Sequence, residues 1–156
     1  MDIQVKVGVV VTDANGRILL IKEKPEKKPR ALWNIIKGSH ESGETIDEAA
    51  LRECREEAGI QVELKAFLGT YISEESGKMR IQFNFLAHAQ QVATMLTDTK
   101  EQESRNETIE EVRWFTREEI QAMSPEEFVS PRSYEVLQDW MSGQTFPLSV
   151  CKQVRM

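Results

Sequence analysis

The chain has 156 residues, enough for one domain that buries roughly two-thirds of its unfolded surface. Acids outnumber Lys and Arg 26 to 20, giving a net charge of −6, which excludes a surface built as a whole for nucleic acid or anionic membrane. Apolar runs fall far short of the roughly 20 residues of a membrane span, Asp2 breaks any signal-peptide pattern, and Cys54 and Cys151 are too few for a disulfide scaffold, so a single cytoplasmic domain over residues 1–156 is expected, with no nucleic-acid or membrane partner.

Ile3, Val5, Val7, Val9 and Val11 alternate and then fill in, the pattern of a strand buried first on one face and then on both. Asp13-Ala14-Asn15-Gly16 reads as a turn, and Ile18 to Ile21 as the second arm of a hairpin. Lys24 to Arg30 holds two prolines and four cations, which reads either as a solvated loop or as a basic loop beside an anionic ligand. Thr45 to Ala58 is the clearest helix, with Thr45 and Glu48 as a capping box and Gly59 as the left-handed stop. Residues 61–73 and 79–90 read as two long strands joined across Glu74-Glu75-Ser76-Gly77. The polar stretch 91–108 reads as a loop, and 111–115 as a short strand. Thr116 opens a short helix over 117–123, and Pro131 begins a last helix that Gly143 ends. Strands interspersed with helices predict an α/β fold, a mixed sheet covered on both faces.

The Thr45–Ala58 helix carries the chemical signal. At about 100° per residue, Ile46, Ala50, Cys54 and Ala58 form one stripe beside Glu53, with Leu51 at its far margin. Glu57 falls inside that stripe, between Ile46 and Ala50, and Glu56 lies close by on the other flank. A solvated charge face would lie opposite the stripe. Three carboxylates within about 6 Å repel by about 3 kcal/mol per pair at an effective dielectric near 20. Something must compensate: Arg52 and Arg55 in a salt-bridged helix edge, or a multivalent cation. Clustered hard oxygens select Mg²⁺ or Mn²⁺ over zinc. The preceding stretch, Lys37-Gly38-Ser39-His40-Glu41-Ser42-Gly43-Glu44, reads as a polar loop able to offer carbonyls to a cation or amides to an anion.

From Gly38 the chain runs through five residues to Glu44, then seven to Arg52-Glu53, Cys54, Arg55, Glu56-Glu57, Ala58, Gly59 and Ile60. This resembles the box of Nudix (MutT-like) hydrolases over all 23 positions. Trp33 before it, and Val112-Arg113-Trp114-Phe115 with Glu118-Glu119-Ile120 after it, extend the likeness to roughly residues 3–142, leaving 143–156 as a C-terminal tail.

The resemblance implies a Nudix α/β/α sandwich with a mixed β-sheet between helices. It implies Mg²⁺-dependent hydrolysis, with Mn²⁺ as a substitute, of a nucleoside diphosphate linked to another moiety. The partner implied is a small pyrophosphate or nucleotide, acted on by a monomer or homodimer. On that pattern Glu53, Glu56, Glu57 and the Gly38 carbonyl are metal ligands, Arg52 orients a glutamate, Glu44 supports Arg52, and Glu53 accepts the proton of the attacking water. A loop acid supplies a further ligand in some members; here Glu103, Glu107 and Glu110 are the candidates, with Glu107 preferred. Lys37 and Arg80 are the candidates for substrate phosphates, with Lys22 beside them.

Several positions depart from the family pattern. The usual Pro-Gly ahead of Gly38 is Ile36-Lys37, and Cys54 replaces an aliphatic residue. No acid stands directly before Ile109. The proline of ADP-ribose hydrolases is Glu75, and the tyrosine of dinucleoside polyphosphate hydrolases is absent from Ser76-Gly77-Lys78. The run from Ser130-Pro131 to Phe146-Pro147-Leu148 is similar to small Nudix phosphatases acting on thiamine-pyrimidine pyrophosphates and simple nucleoside di- or triphosphates. Two alternatives stay open at this level: a non-catalytic nucleotide sensor and a dinucleoside polyphosphate hydrolase. Two distant histidines, His40 and His88, make no zinc site, while Tyr71, Phe83 and Phe85 are either base-stacking or core aromatics.

Overall fold

A computed structural model describes residues 1–90 and 109–156. Seven strands form one mixed sheet: β1 (Asp2–Thr12), β2 (Ile18–Glu23), β3 (Leu32–Asn34), β4 (Ile36–Ser39), β5 (Val62–Glu75), β6 (Lys78–Ala89) and β7 (Ile109–Phe115). β1 lies parallel to β6 along its whole length, while β5 and β6 form a long antiparallel hairpin. β4 runs antiparallel to β1, and β7 and β3 both pair antiparallel with β2. Helix α1 (Ile46–Ala58) covers one face; α2 (Arg117–Gln121) and α3 (Pro131–Met141) cover the other.

Strand alternation divides the core. Val7, Val9 and Val11 with Leu19 and Ile21 meet α1, whereas Val10, Ile18 and Leu20 meet Ile120, Val136 and Leu137. The fully buried apolar side chains that α1 turns into this core, Ala49, Ala50, Cys54 and Ala58, are all small, with Ile46 packing partly buried at the helix start. Small contacts let a helix axis lie close to its sheet, so a substitution such as Ala50→Leu overpacks it at a cost of about 1–3 kcal/mol. Thr45 caps α1, accepting from the Glu48 N–H, while the Glu48 side chain accepts from the Thr45 N–H. Gly59 ends the helix at φ 63°, a region costly for a side chain.

Two expectations need correction. Leu51 is 36% exposed rather than part of the buried stripe, because the sheet covers only the Ala50–Cys54 side. Residues 36–39 are a strand, not a loop: Gly38 pairs with Val7 and Lys37 with Gly8, and the loop proper begins at His40. The expected β1–β2 hairpin is present: Asp13 closes it, its carboxylate accepting from the Asn15 and Arg17 amides, and the strands pair antiparallel at Thr12–Ile18. β4 occupies the edge of β1 that a longer hairpin would have used. A run of four residues holding Gly and Ser gives too short a pattern to read as a strand without its partner.

The last residues pack on the domain. Phe146 exchanges two backbone hydrogen bonds with Phe67, both 2.8 Å, and Leu148 and Cys151 lie against the α1 side of the core. Gln153 accepts from the Ile46 N–H at 2.8 Å.

Candidate active site

The site is built where α1 meets β4. Glu53 and Glu57 are each 3% exposed, while the Glu56 side chain is 23% exposed. The Glu57 carboxylate accepts the Lys37 N–H at 2.9 Å, which ties the helix to the strand. An added Cβ on Gly38 would stand 2.1 Å from the Glu53 carboxyl carbon, so only glycine allows this approach.

Arg52 organises the acids. Its Nε and Nη2 donate to the two Glu44 oxygens at 2.9 and 2.8 Å, a bidentate pair. Its Nη1 donates to Glu53 at 2.8 Å and to Glu56 at 2.9 Å, and its Nη2 also reaches the Ser39 carbonyl at 2.9 Å. Glu41 adds a longer ion pair at 3.6 Å. The Glu44 hydrogen bonds hold the Arg52 guanidinium charged far above ordinary conditions. In return, Arg52 holds the Glu44 carboxyl below the usual carboxylate range. Glu44 also receives the Glu41 N–H, and its carbonyl meets His40 Nε2 at 2.7 Å. Burial raises the Cys54 thiol, helped by Glu57 and Glu53, so it stays protonated and packs as an apolar group.

The donors fit a hard divalent cation by chemistry: glutamate oxygens beside a glycine-lined backbone, with no thiolate or imidazole among them. Among the described residues no three acids, histidines or cysteines stand together at cation-holding spacing.

Lys37 alternates with Gly38, so its side chain leaves on the opposite side of β4. There it lines a cavity of about 810 Å³ with Lys6, Arg80 and Arg132. Burial lowers the Lys37 ammonium to about 8, with Arg132 as the next cause. Burial also lowers Lys6, followed by Arg80, and burial lowers Arg132, again followed by Arg80. Glu107 and Glu103 lie outside the described residues, and Glu110 is exposed at the start of β7. Phe85 is fully buried edge-on to Phe67 at 5.4 Å, and the Tyr71 hydroxyl bonds Asp139, so these rings serve packing. Sequence reasoning missed Arg132 and Lys6; a lone cation on a helix or strand gives no signal of its own.

A NUDIX domain model matches residues 2–140. The chain belongs to the NUDIX domain family. Phosphatase NudJ of Escherichia coli strain K12 is 30% identical over 142 residues, spanning 90% of this chain and 85% of that protein. NudJ of Shigella flexneri aligns equally well. A Nudix hydrolase structure from Nitrosomonas europaea superposes with a TM-score of 0.79 at 24% identity, over 97% of both chains. The MutT protein of Methanosarcina mazei Go1 gives 0.70 at 18% identity, over 90% of this chain and 94% of that one. The protein is therefore a Nudix pyrophosphohydrolase with the α/β/α architecture of this family, acting on small molecules that contain a pyrophosphate. No described helix is long and apolar enough to cross a membrane.

Proposed function

We propose that this Nudix domain is a Mg²⁺-dependent hydrolase, with Mn²⁺ as a substitute, of nucleoside di- or triphosphates and related pyrophosphates, working in the cytoplasm by attack of water at phosphorus. The observation that carries it is the acid cluster: buried Glu53 and nearby Glu56 share Arg52, buried Glu57 accepts the Lys37 N–H, and Glu53 presses against a strand at a point that only Gly38 permits. Glu53, Glu56, Glu57 and the Gly38 carbonyl are the groups that would hold the cation, with Glu107 as a further candidate. When bound, a divalent cation neutralises phosphate oxygens and lowers the pKa of the attacking water.

The chain's own groups do the rest. Arg52 fixes the Glu53 and Glu56 carboxylates, and Glu44 fixes Arg52. Glu53 takes the water proton, since burial and the Arg52 bond hold it in one place. Lys37 and Arg80 meet substrate phosphates from the far side of β4. The NudJ relatives at 30% identity are named as phosphatases, which supports hydrolysis at phosphorus.

The test is a panel of nucleoside di- and triphosphates, thiamine-type pyrophosphates, dinucleoside polyphosphates and ADP-ribose, with Mg²⁺, Mn²⁺ or chelator. Metal-dependent phosphate release that disappears in Glu56→Gln and Glu57→Gln is expected. Release that is indifferent to metal, or undiminished in both variants, contradicts the assignment.

A further inference from the structure

The cavity behind β4 gathers positive charge in a chain whose net charge is −6. Seven Lys and Arg side chains line it against two carboxylates, Glu26 and Glu75. Four of the cations come from separate elements: Lys6 from β1, Lys37 from β4, Arg80 from β6 and Arg132 from the first turn of α3. Among the described residues none of these four makes an ion pair. Their hydrogen bonds go to neutral groups: Lys6 to Ser39 at 2.8 Å, Arg80 to Gln4 at 3.2 Å and Arg132 to Ser73 at 3.1 Å. The Arg132 Nε is buried without a hydrogen-bond partner, although a guanidinium N–H is a strong donor. Gln82, 1% exposed, forms part of the wall. Fold stability alone gives no reason to bring four unpaired cations together, since surface ion pairs with the chain's many glutamates were available. A phosphoryl dianion is the kind of ligand such a set of cations attracts, and the guanidinium fork suits phosphate oxygens.

We propose that Arg132, with Lys6, Lys37 and Arg80, forms a subsite for a second phosphoryl group of the substrate, so that the enzyme prefers pyrophosphate compounds whose far end is itself charged. This rests on the hydrolase reading above and narrows its substrate class. Lys37 links the two regions, because its N–H binds Glu57 while its side chain lines the cavity. Lys27 and Lys28, from the basic loop before β3, also line the cavity.

Two measurements test it. In the first, kcat and KM are compared for a nucleoside triphosphate and a nucleotide sugar, whose far end is neutral, in wild type, Arg132→Gln and Arg132→Lys. Loss of one charge-assisted contact predicts a KM for the triphosphate raised roughly tenfold or more in Arg132→Gln, partial rescue in Arg132→Lys, and a matching fall in selectivity over the sugar. Equal effects on both substrates, or an unchanged KM in a folded variant, overturn the subsite. In the second, inorganic pyrophosphate is titrated calorimetrically into metal-free protein, with Arg80→Gln as a second variant should Arg132→Gln fold poorly. Binding that both substitutions weaken supports the subsite even if no panel compound is hydrolysed, an outcome that would overturn only the hydrolase reading. No binding to wild type overturns the subsite while leaving hydrolysis intact.

Discussion

The two sides of β4 handle concentrated charge in opposite ways. On the α1 side, four glutamates share one guanidinium, and all five Arg52 contacts within hydrogen-bond distance go to carboxylates or a carbonyl. On the α3 side, among the described residues, Lys6 and Arg132 donate to serine hydroxyls and Arg80 to a glutamine amide, and Lys37 lines the same cavity. The acidic side is thus tied together by the protein's own Arg52. The basic side has no ion pair of its own among the described residues. One strand separates the acid cluster from the basic cavity, and under the proposed function the two are the halves of a pyrophosphate site.

The sharpest way to break this contrast is to neutralise an acid without moving it. Glu57→Gln keeps an oxygen for the Lys37 N–H, so the fold should persist while hydrolysis falls by roughly a thousandfold, read by metal-dependent phosphate release. Removing the organiser comes next. Arg52→Gln leaves its buried carboxylates facing one another and should cost about 3–5 kcal/mol in a denaturant melt. Arg52→Lys should recover little, because a lysine cannot reproduce the fork to Glu44.

Gly38→Ala tests the wall between the sides. Its Cβ would collide with the Glu53 carboxylate. A loss of about 1–3 kcal/mol is expected, with reduced kcat, and an unchanged crystal position of Glu53 would contradict it.

On the basic side the sign reverses. Lys37 titrates at about 8 in the fold against 10.5 unfolded, so its charge opposes folding fully below pH 8. That penalty fades as pH rises from 8 to 10.5. Lys37→Met should therefore raise the melting temperature at pH 7, lose that advantage by about pH 10.5, and raise KM. The smallest effect belongs to the periphery: Arg155→Ala removes an exposed pair with Glu48 and should leave the melting temperature unchanged at physiological salt.

The helix that holds the acids was legible because three local signals agree on it. Thr45 and Glu48 cap one end, Gly59 stops the other, and the small-residue stripe shows which side is buried. The long β5–β6 hairpin was legible for the same reason, with alternation broken by Ser76-Gly77, where both φ angles are positive. β3 and β4 were not, because strands of three and four residues exist only through their partners β2 and β1. Leu51 was misassigned because a helical wheel gives angles but not the width of the sheet beneath it.

The 156 residues by themselves determined the α/β class, the capped helix and the row of acids at the spacing of a Nudix box, since each is written in neighbours a few positions apart. Only the tertiary structure decided that Gly38 must yield space to Glu53, and that Lys6, Lys37, Arg80 and Arg132 share one cavity. Those residues are separated by up to half the chain or more, and only the packing of α1 and α3 on opposite faces of one sheet brings them to a single strand.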